Sequence, residues 1–235
     1  MAIKNLLRFL ILPIVFFFSC KNDEVATSPA SSDYSWIQSF DNISEAQQQG
    51  WISVNNSIPK GVETWTQAYS YYETKNGAGG VSLPPQSYTN GGNDYVIATY
   101  NCGSDTANIS AWLIAPKTVI KNGDKIIFYT SSVADVARPD RLQVRLNTTN
   151  TDNVGADSVS VGDFKTLLLD INPQLRKTGP NSYPKEWTKY TITIDGLPAA
   201  AERRFAFRYY VNDGGPDANN SFGVGIDSVA FVSAQ

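Results

Sequence analysis

The chain has 235 residues, 19 Lys+Arg against 22 Asp+Glu, and a formal net charge of −3 at pH 7. It contains no histidine and two cysteines, so Ser-His-Asp and Cys-His catalysis, imidazole zinc sites and cysteine-rich metal sites all lack their parts. No basic block or arginine stripe is present, so no nucleic-acid partner is expected, whereas carboxylates and amides remain for calcium binding or for glycoside hydrolysis without histidine.

The N-terminus reads as a targeting segment. Lys4 and Arg8 precede an apolar run from Leu10 to Phe18, short of the roughly 20 residues a spanning helix needs. Ser19 and Cys20 follow, and residues 1–19 resemble a bacterial lipoprotein signal with cleavage before Cys20 and lipidation of Cys20. Phe17 stands where such signals usually carry Leu. Next, Lys21-Asn22-Asp23-Glu24 resembles the export signal that sends Bacteroidetes lipoproteins to the outer face of the outer membrane. The Ser-, Ala-, Thr- and Pro-rich stretch from Val25 to Asp33 cannot bury a core, so residues 20–34 read as a flexible tether. The expectation is a surface-exposed, outer-membrane protein that touches the membrane only through acyl chains, more than one being needed for stable anchoring. Acylation of Cys20 leaves Cys102 without a disulfide partner, and Cys102 is expected to be a small buried residue.

Residues 35–235 read as one domain. Ser44 to Gln49 predicts a short helical turn with Ser44 as N-cap and Gly50 as stop. From Asn55 to Asn93 the pattern is irregular and holds Trp65, Tyr69, Tyr71, Tyr72 and, in a Gly- and Pro-rich part, Tyr88. Irregular segments on a β scaffold lie at its rim and often carry binding function. Sugars are recognised by stacking on exposed aromatics, which makes Trp65, Tyr69, Tyr71, Tyr72 and Tyr88 the candidate ligand face. Thr64 to Tyr72 also alternates well enough to be a strand with one face turned inward. Trp51, Trp112 and Trp187 are expected in the core.

Further on, alternation of period two predicts half-buried strands. Ile126, Phe128 and Thr130 oppose Ile127 and Tyr129. Leu142, Val144 and Leu146 face inward, with Arg141, Gln143 and Arg145 outward. Tyr190, Ile192 and Ile194 share a face, and Phe205, Phe207, Tyr209 and Val211 oppose Ala206, Arg208 and Tyr210. Turn residues such as Asn122-Gly123-Asp124 and Asn212-Asp213-Gly214-Gly215 separate these runs. The result is a sandwich or barrel.

The order of motifs is more specific than any one of them. Trp36-Ile37-Gln38-Ser39-Phe40-Asp41, Gly50-Trp51, Ser110 to Pro116, Lys125 to Tyr129, Asp140 to Leu146, Trp187 to Tyr190, Arg204 to Tyr209 and Gly225-Ile226-Asp227-Ser228-Val229 follow in turn. Together they resemble the choice-of-anchor J family, related to the cleaved-adhesin domains of Bacteroidetes gingipains. The resemblance implies an all-β jelly-roll, a galactose-binding-like β-sandwich of two antiparallel sheets, and binding or adhesion more than catalysis. It also implies a structural calcium with Asp41 and Asp227 as ligands, although family members often carry Glu where this chain has Asp41.

Three triplets, Asp105-Thr106-Ala107, Asp157-Ser158-Val159 and Asp227-Ser228-Val229, resemble the Bacteroidetes O-glycosylation motif, with Thr106 and Ser158 the better candidates. The function expected is a non-catalytic surface binding or adhesion module for a glycan or a host or matrix protein. A polysaccharide hydrolase or lyase working through carboxylates, or a structural subunit of a surface assembly, are the alternatives.

Overall fold

The computed structural model describes residues 33–69, 94–132 and 137–235, with the side chain of Tyr69 outside that description. In chain order the strands are β1 (Trp36–Gln38), β2 (Ile52–Asn55), β3 (Ile58–Lys60), β4 (Thr66–Tyr69), β5 (Asp94–Thr99), β6 (Gly103–Ile114), β7 (Thr118–Ile120), β8 (Lys125–Ser132), β9 (Leu142–Leu146), β10 (Thr166–Ile171), β11 (Thr188–Thr193), β12 (Ala201–Arg203), β13 (Phe205–Gly214) and β14 (Gly223–Val232). One helix, α1 (Ile43–Gln48), follows β1.

The strands form the expected jelly-roll sandwich of two antiparallel sheets. Sheet one has the order β11-β8-β14-β5-β4, with β1 also paired to β14. Sheet two has the order β10-β9-β13-β6-β2, with β3 also paired to β6. A two-stranded ribbon joins β12 to β7. Neighbours such as β13 and β6 are far apart in sequence, as in a Greek-key wrap, and the apolar pattern of each strand has to choose its register.

The inward residues anticipated from alternation meet in one core. Phe128, Val96 and Ile226 of sheet one pack with Phe207, Leu142 and Ala111 of sheet two. Phe128 and Phe207 touch edge to face, with ring centroids 4.9 Å apart, a geometry that suits the ring quadrupoles. Trp51 is buried as expected and meets Phe40 edge to face. Cys102 is fully buried, and burial pushes its thiol up to about 12, so it is an inert core residue.

The helix begins earlier than predicted. Asn42, not Ser44, is the N-cap: its Oδ1 accepts the Ser44 N–H at 2.9 Å and the Glu45 N–H at 3.4 Å. Both residues are good cap formers, and the chain reversal after Phe40, whose φ is 55°, sets the choice between them.

One buried carboxylate ties the sheets together. Asp140 Oδ1 accepts the Tyr209 hydroxyl at 2.6 Å from sheet two, and the N–H groups of Phe222 at 2.8 Å and Gly223 at 3.0 Å at the start of β14. Removing it strands several buried donors. Asp140→Ala is expected to lower unfolding free energy by about 3 kcal/mol, measured by urea denaturation. A loss below about 1 kcal/mol would show that these donors find water instead.

Candidate functional site

Sheet two has a second face, turned away from the core, and its residues line up in rows across the strands. Antiparallel register places Asp170, Gln143, Arg208, Trp112 and Val54 in one row. A neighbouring row holds Tyr210 opposite Ser110, with the Tyr210 N–H donating to the Arg141 carbonyl at 3.2 Å. On the other side run Leu167, Arg145, Ala206 and Ile114. These are the outward positions of alternating strands, where polar residues are ordinarily solvated.

Here half of the outer face is covered. Residues 147–164 fold over it, and Val154, Val161 and Phe164 pack on Trp112, Ile114 and Ala206 with Ile52 and Val54. Trp112 and Phe164 lie 5.6 Å apart. The Asn56 side chain ties the segment down by donating to the Gly155 carbonyl at 2.8 Å. Gly162 has φ +51°, and a Cβ there would sit 2.2 Å from the Asn153 carbonyl oxygen, so only glycine fits this turn.

Arg208 seals the edge of the covered half. It is 1% exposed. Its guanidinium lies 4.8 Å from the Trp112 ring centroid and 3.9 Å from that of Tyr210. Nε donates to Ser110 Oγ at 3.0 Å and Nη2 to the Ser158 carbonyl at 2.6 Å. Burial lowers its pKa to about 10, so it stays charged at neutral pH.

The other half of the face is open. Tyr210, Arg141, Arg145 and Asp170 are half-buried, and Leu167 is 46% exposed. Arg141 grips Asp170 through Nε at 2.8 Å and Nη2 at 2.6 Å, and this bond raises its pKa. Gln143 Nε2 donates to Asp170 at 3.0 Å, and Gln143 Oε1 accepts from Arg145 Nε at 2.8 Å. Arg145 Nη1 reaches the Phe164 carbonyl at 3.2 Å, and burial lowers its pKa. The Arg141 guanidinium stands 5.0 Å from the Tyr210 ring centroid. The result is a platform of planar groups, one aromatic and two guanidiniums, each held by a neighbour.

The residues singled out from sequence fall elsewhere. Trp65 is not a ligand aromatic: it is 2% exposed and its Nε1 donates to the Ala111 carbonyl at 3.2 Å, because β4 is a strand that turns this ring into the core. Tyr71, Tyr72, Tyr88 and Cys20 lie outside the described residues, as does the side chain of Tyr69. Ser158 is not available for O-glycosylation in the folded chain. It is 5% exposed, drawn in by the bond from Arg208 and by Asp157 Oδ1, which caps the N–H groups of Val159 and Ser160. Thr106 is exposed, beside Asp105 at φ 51°.

Asp227 and Asp41 are both at the other sheet. Asp227 sits at the bulge of β14, 3% exposed. Burial raises its pKa to about 7, and the charges of Asp41 and Asp94 add to the rise. Asp41 is exposed, accepting from Ser39 Oγ at 2.5 Å. The oxygen donors suit calcium, but among the described residues no three acidic or cysteine side chains are close enough to share an ion. Asp41 and Asp94 act on Asp227 at longer range.

The fold has solved counterparts. The K1 cleaved adhesin domain of Lys-gingipain from Porphyromonas gingivalis W83 matches with a TM-score of 0.51 at 18% identity, over 86% of this chain and 99% of that domain. The K2 cleaved adhesin domain of Lys-gingipain matches at 0.50 and 18%, over 85% and 99%. These likenesses show a β-sandwich fold shared with those domains. No family model and no curated protein matches the chain.

The Asp227 carboxyl gives a signed pH dependence. Its folded pKa is about 7 against an ordinary 3.8, so the native state holds the proton more tightly. Stability is then greatest below pH about 4 and falls as pH rises towards 7, by up to about 1.4 kcal/mol per unit. In chelator, Asp227→Asn is expected to flatten this slope in pH-dependent thermal melts. An unchanged slope would assign it to another group.

Proposed function

We propose that this protein is a non-catalytic binding module of the cleaved-adhesin kind, tethered at the outer-membrane surface through lipid on Cys20, and that it binds a glycan on the open half of the outer face of sheet two. The observation behind this reading is the Tyr210–Arg141–Asp170–Gln143–Arg145 platform. The half-buried Tyr210 ring, set between the guanidiniums of Arg208 and Arg141, would give a sugar an apolar contact, and fixed guanidinium and carboxylate groups beside it would pair with hydroxyls. The platform holds one carboxylate, Asp170, already bonded to Arg141. Glycoside hydrolysis of the usual kind uses two facing carboxyl groups, so the arrangement favours holding a sugar over cleaving one. The adhesin-like fold of the K1 and K2 domains supports the same reading by analogy.

A glycan array probed with the detergent-solubilised full chain tests it. Tyr210→Ala is expected to weaken every hit by about tenfold, the scale of one or two lost stacking contacts. Hits that survive Tyr210→Ala unchanged would move the site off this face.

We also propose that calcium binds at Asp227, with Asp41 and Asp94 turning in to share it. Burial, with a smaller push from the charges of Asp41 and Asp94, raises the Asp227 pKa, and a divalent cation would favour the ionised carboxyl against both. Added calcium is expected to raise the melting temperature by several degrees, and Asp227→Asn to abolish the rise. An identical melting temperature in calcium and in chelator would remove the ion from the account.

A further inference from the structure

We propose that this face selects acidic glycans, polysaccharides bearing carboxylate or sulfate groups, and that Arg145 is the residue that reads the anion; the inference rests on the binding reading above. Three guanidiniums, Arg141, Arg145 and Arg208, stand on one face of a chain whose net charge is −3. One carboxylate, Asp170, is bonded among them, and Arg141 takes both of its oxygens. Arg208 is spent on Ser110, Ser158 and two aromatic rings. Arg145 is the remaining one. Its bonds go to the Gln143 amide oxygen and the Phe164 carbonyl, both uncharged, and among the described residues it forms no ion pair.

Other acids near this face are engaged elsewhere. Asp157 caps the turn at Val159 and Ser160, and Asp163 accepts from Thr151 Oγ1 at 2.6 Å. Burial is the main cause that lowers the pKa of Arg145 and of Arg208; Arg141 adds a smaller push in the same direction at both, and at Arg145 the nearby Asp170 acts against it. A ligand anion placed over Arg145 would give this half-buried charge a partner and gain a charge-assisted, fork-shaped hydrogen bond. Leu167 lies directly across from Arg145 on the edge strand and is 46% exposed, an apolar neighbour for the sugar ring that bears the anion.

The face also continues over the edge strand β10. Asp170 borders a cleft of about 350 Å³ between β10 and β11, with Tyr190, Gln174 and Asn181 among its lining residues. An extended polymer can run from Tyr210 past Asp170 into this cleft, so more than one sugar unit is contacted.

The test measures binding of the detergent-solubilised full chain to four probes: polygalacturonate (carboxylate), chondroitin sulfate, neutral laminarin and polyglutamate, an anion without sugar. One or both acidic glycans are expected to bind at least tenfold more tightly than laminarin, and which of them does so distinguishes carboxylate from sulfate. Arg145→Gln should weaken acidic binding by about ten- to a hundredfold, the worth of one charge-assisted hydrogen bond, and weaken laminarin binding by a clearly smaller factor, so that the preference for acidic glycans narrows. Arg145→Lys, which keeps the charge and loses the fork, should fall between, and it serves if Arg145→Gln does not fold. Salt raised from about 50 to 500 mM should weaken acidic binding most. Equal binding of laminarin and the acidic glycans, indifferent to Arg145→Gln, would overturn the acidic selection and leave the glycan reading standing. Polyglutamate bound as tightly as the acidic glycans would reduce the face to a charge patch and overturn the inference. Binding of no glycan at all would overturn both.

Discussion

A charged guanidinium, Arg208, which forms no ion pair among the described residues, is buried at the middle of sheet two, and the covered half of that sheet's outer face is arranged around it. Burying such a charge costs several kcal/mol even after relaxation. Arg208 is kept by two aromatic rings and by hydrogen bonds to Ser110 Oγ, the Ser158 carbonyl and, at 3.5 Å, Gln143 Oε1, the shorter ones each worth about 1–3 kcal/mol when desolvated and charge-assisted. Ser158 supplies one of those bonds from the covering segment. The segment that forms the wall of the site and the arginine that borders it therefore hold each other in place. Residues 147–164 shield both groups: Val154, Val161 and Phe164 cover the Trp112 ring, and the Ser158 carbonyl takes the Arg208 Nη2 donor.

This coupling explains which parts of the molecule were legible in the sequence. Strand β13 shows it best. Phe205, Phe207, Tyr209 and Val211 alternate with Ala206, Arg208 and Tyr210, and the apolar set does face the core. The rule that assigned the opposite set to solvent failed for Ala206 and Arg208, both buried, because alternation reports the two faces of a strand and not what later covers one of them. The cover comes from Val154, Val161 and Phe164, scattered through a polar stretch with no period of its own. Register is the other missing quantity. Arg141, Gln143, Arg145, Arg208, Tyr210 and Trp112 all occupy outward phases, but only the pairing of β9 with β13 and of β13 with β6 makes them neighbours. An outward phase carrying arginine and aromatic residues on several strands was the available signal.

Trp65 shows the opposite error. A tryptophan among tyrosines in an irregular stretch suggested a sugar platform, although Trp65, Gln67 and Tyr69 also alternate as a strand does. The strand pattern was the physically stronger one, since it buries a large apolar ring and lets Nε1 reach a backbone carbonyl. Gln67 confirms the phase locally: its side chain accepts the Ile43 N–H at 2.6 Å and donates to the Phe40 carbonyl at 2.7 Å, fastening the start of the helix to sheet one. Asp227 was legible as a residue of interest because a carboxylate inside an apolar strand needs a reason. Its setting was not, because the bulge that turns it beside Ser228, itself at φ 51°, depends on the register of β14 against β8.

The form of the platform limits the kind of ligand it can serve. Arg141, Asp170, Gln143 and Arg145 are bonded to one another before any ligand arrives, so little side-chain freedom remains to be lost on binding. Such a surface does not close around a molecule. It meets one side of it, and the contact area per sugar unit stays small. Useful affinity from a shallow, rigid face comes from engaging several units along a polymer, or from several tethered copies meeting the same surface at once. Under the lipid anchoring proposed at Cys20, neighbouring copies would share a plane and could each turn the same face outward, which would meet the second condition. Rigid shallow contact and the proposed anchoring would then complement each other: the first would keep each contact weak and fast to release, and the second would make the sum of contacts lasting.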